Sequence, residues 1–407
     1  MTILQVSEQV YYYNGLDEII KPNWQQARFW FHRAAKQGDA IADYYLGEIH
    51  AHGHGLPVNR KEAFKWYKRS ADKHYVPAQQ KLAHCYLHGI GTRKNETEGY
   101  ILLASLALWG DEESEILLRS AAASGNPAAG YGMWLYYRER RDIETGRGWL
   151  EKSADKGHAN ALCALAILYD QEGEREQKLR YLQLAAKKGH ADAQFRLGLL
   201  LENVSARKAP ENEAAFKWMK ASAEQGHPHA NYCLGNLYRD GTWVDADVEK
   251  AVECYFHAAA MGDADGIDRL GECYAYGTGL PKDETLAFQY FEYAAAMGNP
   301  KGQCHLGLSY LTGLGCCPDM TLAFRWISCA AGSGEPIVFK TLQSFGLDVG
   351  MFIGGYRQSR KRWTAAAMQD DRLGLPFEDA FESSTFQTSP GTIQAIPPGG
   401  MGGNADG

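Results

Sequence analysis

A leucine-centred motif that recurs every 36 residues constrains the fold of this chain more than any other feature. Leucines of the motif are 36 residues apart at Leu234, Leu270, Leu306 and Leu342, and again at Leu46 and Leu82. Weaker copies are centred on Gly132, Leu165 and Leu197. A period of this length is typical of solenoids, in which each repeat buries its apolar face against its neighbours. We therefore expect the chain to fold as an array of repeats.

Two further columns align with this leucine and predict the first helix of each repeat. Four residues before it stand small residues, namely Ala42, Ala78, Ala128, Ala161, Ala193, Ala230, Gly266 and Gly302. Four residues after it stand mostly tyrosines, namely His50, Tyr86, Tyr136, Tyr169, Leu201, Tyr238, Tyr274 and Tyr310. Positions i−4, i and i+4 share one face of an α-helix, and a small residue lets a neighbouring helix approach closely. We name this helix A.

A glycine-rich turn and a second helix, helix B, follow helix A. The turn contains Gly-x-Gly at residues 53–55, 89–91, 277–279 and 313–315, because glycine tolerates the positive φ angles that end a helix and reverse the chain. Helix B places an alanine three residues before an aromatic side chain, as in Ala63/Trp66 and Ala287/Tyr290, and closes with small residues and a glycine. No long stretch alternates with a period of two residues, so the expected fold is all-α.

These columns resemble those of the Sel-one-like repeat family, a relative of the tetratricopeptide repeats. The best copies run from Ala230 to Gly334, and the resemblance covers about residues 22–345. It implies an all-α, right-handed α-solenoid of helix-turn-helix repeats. Two segments depart from the pattern: an extra helix-like piece between Gly110 and Gly125, and a longer polar loop at residues 203–212.

The chain is expected to have four parts. Residues 1–21 are a poorly patterned leader. Residues 22–345 form the solenoid with its terminal caps, a lone helix B at 22–38 and a closing helix A at 335–345. Residues 346–382 are expected to be a short C-terminal extension, partly helical. Residues 383–407 hold six glycines, three prolines and one charged residue, a composition that predicts a disordered tail.

Composition argues against several classes of function. The chain has 42 basic and 49 acidic residues among 407, and its net charge of −7 disfavours a chain-wide electrostatic interaction with nucleic acid. No stretch approaches the roughly 20 apolar residues of a membrane-spanning helix. The N-terminus lacks the basic start and apolar core of a secretory signal. We expect a cytoplasmic protein with no membrane span and no nucleic-acid partner.

Nine cysteines without a CxxC pair are expected to be reduced in such a protein. In secreted members of the resembling family, paired cysteines bridge the two helices of a repeat. That resemblance would pair Cys233 with Cys254 and Cys304 with Cys329. Cys316 and Cys317 share a turn, and we interpret them as an exposed pair without a chemical role, because exposure alone does not activate a thiol.

Three closely spaced histidines, His50, His52 and His54, resemble a zinc-binding cluster. His50, however, occupies the tyrosine column of helix A, and His54 lies inside a Gly-x-Gly turn. Repeat position therefore explains the spacing, and we assign no metal-binding residue.

Two S-x-x-K tetrads, Ser70 to Lys73 and Ser153 to Lys156, match an element of penicillin-recognising enzymes. Both lie at the repeated end of helix B, and the sequence has no SDN or KTG partner that would activate the serine. We therefore assign no catalytic residue, and no cofactor is expected.

The expected function is protein–protein interaction. The resemblance implies a non-catalytic scaffold or adaptor that binds a protein or peptide on the concave solenoid surface, which helix A mainly lines. Two alternatives stay open. One is an inhibitor or immunity-type protein that neutralises a single toxic enzyme, and the less favoured one is a β-lactam-interacting enzyme.

Overall fold

The computed structural model describes residues 23–204, 209–348 and residue 350. Over these residues the chain forms nineteen α-helices and no strand. In chain order they are α1 (Trp24–Lys36), α2 (Ala40–His52), α3 (Arg60–Ala71), α4 (Val76–His88), α5 (Glu96–Leu108), α6 (Glu112–Ala123), α7 (Pro127–Glu139), α8 (Ile143–Asp155), α9 (Ala159–Gln171), α10 (Arg175–Lys187), α11 (Ala191–Val204), α12 (Ala209–Glu224), α13 (Pro228–Asp240), α14 (Val248–Ala260), α15 (Ala264–Tyr276), α16 (Glu284–Ala296), α17 (Pro300–Thr312), α18 (Met320–Gly332) and α19 (Pro336–Ser344).

The predicted pairs of helix A and helix B are confirmed. The A helices are α2, α4, α7, α9, α11, α13, α15 and α17, and each packs against the helix B of its own repeat. Helix α1 precedes the first pair and α19 follows the last. The chain divides into two compact units, the first ending at His190 and the second beginning at Ala191. The expected leader at 1–21 and the expected tail at 383–407 lie outside the described residues.

Helix A and helix B meet at the leucine column and the glycine that follows it. Leu270 is fully buried, and a Cβ added to Gly271 would lie 2.6 Å from the ring of Phe291 in helix B. The absence of a side chain therefore lets the Phe291 ring lie against the backbone of α15. The sequence columns emphasised Tyr290, but the structure leaves Tyr290 half-buried and buries Phe291.

The turn between helix A and helix B is closed by backbone hydrogen bonds. Gly277 ends α15 in the left-handed region with a φ of 71°. The N–H of Asp283 then donates to the carbonyl oxygen of Tyr274 at 2.9 Å, while the Asp283 carboxylate accepts from the first N–H groups of α16. The same backbone bond, also at 2.9 Å, closes the turns at Asn59, Asn95, Asp247 and Asp319. A capping side chain and a helix-ending glycine together explain why these turns are so regular.

The second glycine of the Gly-x-Gly turn packs against the preceding repeat. Gly315 has a φ of 68°, and a Cβ added there would overlap the carbonyl oxygen of Glu284 in α16. Gly91 has the same relation to the carbonyl oxygen of Arg60 in α3. At these two turns, backbone therefore touches the backbone of the preceding repeat, whereas Gly55 and Gly279 face side chains of Trp24 and Val248.

The extra helix predicted between Gly110 and Gly125 is confirmed as α6. It buries a narrow stripe of Ser114, Leu118 and Ala122, spaced four residues apart, against α5 and α7. Helix α5 also packs directly against α7. The insertion therefore lies beside the array without separating one repeat from the next.

The prediction of a long polar loop at residues 203–212 is wrong at 203–204 and 209–212, which are helical, and residues 205–208 lie outside the described residues. Helix α11 continues to Val204, and α12 begins at Ala209. The physical reason is that Pro210 is the second residue of α12, a position where a proline needs no N–H partner and its fixed φ suits the helix. The polar composition suggested a loop, but Pro210 lies in the first turn of a helix.

We predict that Gly315→Ala lowers the free energy of unfolding by about 3 kcal/mol, because alanine combines a strained positive φ with a backbone clash. Gly298→Ala is the matched control, since Gly298 has a φ of 79° but no neighbour within 4 Å of an added Cβ. That control should cost about 1 kcal/mol. Urea unfolding of both variants measures the difference, and equal losses would contradict the proposed contact between repeats.

Candidate protein-binding surface

The A helices of the second unit carry a connected group of polar side chains. Helices α13, α15 and α17 are neighbours, and contacts among their side chains link successive repeats. We name this group the A-face and define it as His229, Tyr232, Asp265, Asp268, Arg269, Glu272, Lys301 and His305.

One row of the A-face joins three repeats. His229, Asp265 and Lys301 occupy the same repeat position, 36 residues apart. The ammonium group of Lys301 donates to Asp265 Oδ1 at 2.8 Å and to the hydroxyl of Tyr232 at 3.2 Å. Burial alone would lower the pKa of Lys301, but Asp265 and Tyr232 raise it, so the ammonium form is favoured. Lys301 therefore ties α17 to both α15 and α13.

A second row surrounds His305. Its Nδ1 lies 2.7 Å from Asp268 Oδ1, and its Nε2 lies 3.7 Å from Glu272 Oε1. Asp268 is 1% exposed, so its charge needs a partner inside the fold. Burial alone would lower the pKa of His305, but the Asp268 carboxylate raises it above its ordinary value. Arg269 pairs with Glu272 one turn further along α15.

The charged groups of the A-face are held in place and still reach solvent. The side chains of Asp265, Arg269, Glu272 and Lys301 are between 21% and 24% exposed. Arg269 Nε is buried and has no hydrogen-bond partner among the described residues. Charges of both signs alternate over a few ångströms, an arrangement suited to recognising a polar surface of another molecule.

The sequence did not predict the cluster formed by His229, Asp263 and Asp265, whose ligand atoms lie within 4.8 Å of one another. The signal available was the 36-residue spacing of His229 and Asp265. Asp263 lies 3.0 Å from His229 Nδ1 and also caps α15 through the N–H of Gly266. Lys301 pairs with Asp265, and His229 pairs with Asp263. Both carboxylates of the cluster therefore have basic partners within the protein.

In the first unit, a buried carboxylate on α2 pairs with two basic side chains of the same repeat. Asp43 of α2 is fully buried and lies 2.6 Å from Lys73 Nζ and 3.2 Å from Arg69 Nε, both on the helix α3 side of the repeat. Burial raises the pKa of Asp43, against the lowering effect of Lys73. Lys73 is the lysine of the first S-x-x-K tetrad, so its ammonium group has a structural partner.

The serines of both S-x-x-K tetrads are buried and hydrogen-bonded to backbone. Ser70 Oγ donates to the carbonyl oxygen of Ala40 at 2.6 Å, and Ser153 Oγ donates to that of Pro127 at 2.6 Å. Ser222, at the same repeat position, donates to Ala191 at 2.8 Å. Each serine thus links the end of helix B to the start of helix A by a hydrogen bond. These bonds favour the interpretation that the tetrads are structural features of the repeat and not part of a catalytic site.

The three histidines near residue 52 contact different neighbours. The ring of His54 stacks on Trp24 with centroids 4.0 Å apart, whereas His52 Nε2 lies 3.5 Å from Glu48. Burial lowers the pKa of His50, whose Nδ1 has no hydrogen-bond partner in the described part of the chain. These contacts support the interpretation from repeat position.

All nine cysteines are free thiols in this structure, including both candidate pairs, Cys233 with Cys254 and Cys304 with Cys329. Burial raises the pKa of Cys304 to about 12. Cys317 is exposed, while Cys316 is half-buried and its thiol lies 3.5 Å from the carbonyl oxygen of Ser309.

The Sel1 repeat family model matches nine segments, at residues 5–39, 40–75, 76–108, 128–158, 179–190, 191–227, 228–263, 264–299 and 300–335. The chain belongs to the Sel1 repeat family. The matches skip residues 109–127, which contain α6, and the first match begins inside the segment expected to be a leader. Among curated proteins, no sequence matches this chain.

A solved structure shares the fold of this Sel1 repeat protein, and two further structures match it with lower TM-scores. A protective antigen of uropathogenic Escherichia coli with an SLR fold is 23% identical, with a TM-score of 0.52, covering 91% of this chain and 89% of that one. A Sel1 repeat protein from Oxalobacter formigenes is 23% identical, with a TM-score of 0.38 and coverage of 83% and 87%. An immunity protein from Pseudomonas aeruginosa is 19% identical, with a TM-score of 0.31 and coverage of 56% and 82%. At these identities the likeness concerns the fold alone.

Within residues 23–204 and 209–348, no helix has the length and apolar character needed to cross a membrane.

We predict that His305→Gln destabilises the protein more at about pH 5.5 than at about pH 8.5. Because the folded-state pKa of His305 is raised, its pairing with Asp268 contributes fully below the unfolded value of about 6.5 and is lost as pH rises through the folded-state pKa. Breaking the buried pair should cost about 3 kcal/mol at the lower pH. Urea unfolding at both pH values tests this, with the exposed His257→Ala as control. A pH-independent loss would show that His305 is not charged in the fold.

We predict that Ser70→Ala lowers the free energy of unfolding by about 1 kcal/mol, because the buried hydroxyl loses its bond to Ala40. Ser120→Ala, on an exposed position of α6, should change this free energy by less than about 0.5 kcal/mol.

A chromogenic β-lactam should be hydrolysed by neither the wild type nor a Ser70→Ala/Ser153→Ala variant. Turnover by the wild type that the double variant loses would restore the enzyme alternative.

Proposed function

We propose that this Sel1 repeat protein is a non-catalytic scaffold that binds a protein or peptide partner on the A-face. The observation that carries the proposal is that the Asp265–Lys301 and Arg269–Glu272 pairs, on the neighbouring A helices α15 and α17, hold their charged side chains in place while leaving them 21% to 24% exposed. Such side chains have already lost much of their conformational freedom. A partner that engages them therefore incurs a smaller entropic cost on binding.

The charge pattern supports a protein partner. Lys301, Arg269 and His305 lie among Asp265, Asp268 and Glu272, so neither sign dominates the A-face. Nucleic acid is bound mainly through surfaces of one positive sign, and the net charge of −7 does not favour it. A protein segment with charges of both signs matches the mosaic, and complementary charges select the partner and its register.

The proposal is tested by affinity capture from the lysate of the native cell, with the full chain as bait. The informative variant is Arg269→Gln/Glu272→Gln, which removes both members of an A-face pair and leaves no unpaired charge. Its matched control is Glu213→Gln/Lys217→Gln, an exposed pair at 2.7 Å on helix B of an earlier repeat. Recovery of the partner should fall about tenfold with the A-face variant, equivalent to about 1.4 kcal/mol, and stay unchanged with the control.

Thermal unfolding of both variants is the accompanying check, since each should retain the fold. A partner recovered equally well with the A-face variant would place the binding surface elsewhere.

The stoichiometry of the capture distinguishes the adaptor role from the immunity-type role. Several substoichiometric partners support the adaptor role, whereas one stoichiometric enzyme, inhibited by this protein in assay, supports the immunity-type role.

A further inference from the structure

Two histidines of α4 form a pair with the spacing of a metal chelate. His84 and His88 are four residues apart on one helix, and both are exposed. Their ring centroids lie 4.4 Å apart, with an interplanar angle of 52°. Histidines at positions i and i+4 of a helix present their imidazoles side by side, which is how helical zinc sites obtain two of their ligands.

One metal ion can bridge the two rings at close to their observed separation. A metal–nitrogen bond of about 2.1 Å places each ring centroid about 3.2 Å from the ion, so two rings at a right angle lie about 4.5 Å apart. A tetrahedral angle would separate them by about 5.2 Å. The observed 4.4 Å is close to these separations, so small side-chain rotations bring both rings onto one ion.

The surroundings of His84 favour its neutral imidazole, which has a free lone pair. Partial burial, with contributions from His88 and from Lys81 one turn away, lowers the pKa of His84. Lys81 is itself engaged by Glu48 of α2 at 3.2 Å. The contrast is His229, where hydrogen bonding to Asp263 raises the pKa and a proton competes with any metal. Neutral imidazole is the form that ligates metals.

We propose that His84 and His88 together bind one divalent transition-metal ion, in the order Cu²⁺, then Ni²⁺, then Zn²⁺, on the A-helix side of the first unit. The order follows from the general preference of nitrogen ligands among these ions. Two protein ligands leave further coordination positions to water. The site is independent of the partner-binding function proposed for the second unit.

The test is a calorimetric titration of the full chain, purified without a histidine tag, with NiCl₂. The wild type should bind one Ni²⁺ per chain at its tightest site. His84→Ala and His88→Ala should each weaken this binding at least about tenfold, because a single imidazole loses the gain from linking two ligands. Both side chains are exposed, so far-ultraviolet circular dichroism should show the folds unchanged.

Three controls make the outcome decisive. His257→Ala removes a single exposed histidine of α14 and should leave binding unchanged. Binding that survives in both α4 variants overturns the proposal. If binding is lost instead in His229→Ala, the acidic cluster with Asp263 and Asp265 holds the ion, and if it is lost in Cys316→Ser/Cys317→Ser, the thiols do. As a second readout, the electron paramagnetic resonance spectrum of the Cu²⁺ complex should show splitting from two nitrogens in the wild type and from one in each single variant.

Discussion

Where a glycine follows the column leucine, a large side chain of helix B lies against the backbone of helix A. A Cβ added to Gly47, Gly235, Gly271 or Gly307 would come within 2.7 Å of Tyr67, Tyr255, Phe291 or Ile327 respectively. This close packing fixes the distance between the two helices of a repeat, and the capped turn fixes their connection. The polar contacts of the A-face depend on it, because Lys301 reaches Asp265 only when α15 and α17 are correctly placed.

The A-face owes its order to charges that the fold partly buries. Asp268 in the second unit and Asp43 in the first are almost completely buried on their A helices, and each has basic partners on another helix. Such pairs add little net stability, since the cost of removing charge from water offsets the attraction. Their stronger effect is on specificity of packing, because a shift of one helix would leave a buried carboxylate without its partner.

The repeat columns predicted the helix pairs and their turns, because i−4, i and i+4 columns report directly on a buried helix face, and α6 was predicted as an interruption of the repeat. The candidate surface was harder to predict. Spacing placed His229, Asp265 and Lys301 in one column, but it could not show that Lys301 also reaches Tyr232, 69 residues earlier. Nor could a column distinguish Tyr290 from its neighbour Phe291, since both are aromatic and only the packing decides which is buried. The start of α12 was missed because the polar composition around it suggested a loop, and a proline, common both in loops and in the first turn of a helix, did not distinguish the two.

The contacts of Gly91 and Gly315 have a consequence for how such a protein changes over evolution. At Gly315 and Gly91 the contact with the previous repeat is made to a main-chain carbonyl, which every amino acid possesses. Mutations in the outward-facing side chains of helix A therefore leave that joint intact. Repeats can diverge, duplicate or exchange recognition residues while the main-chain joint persists, so a lineage can acquire new binding specificities without redesigning its architecture.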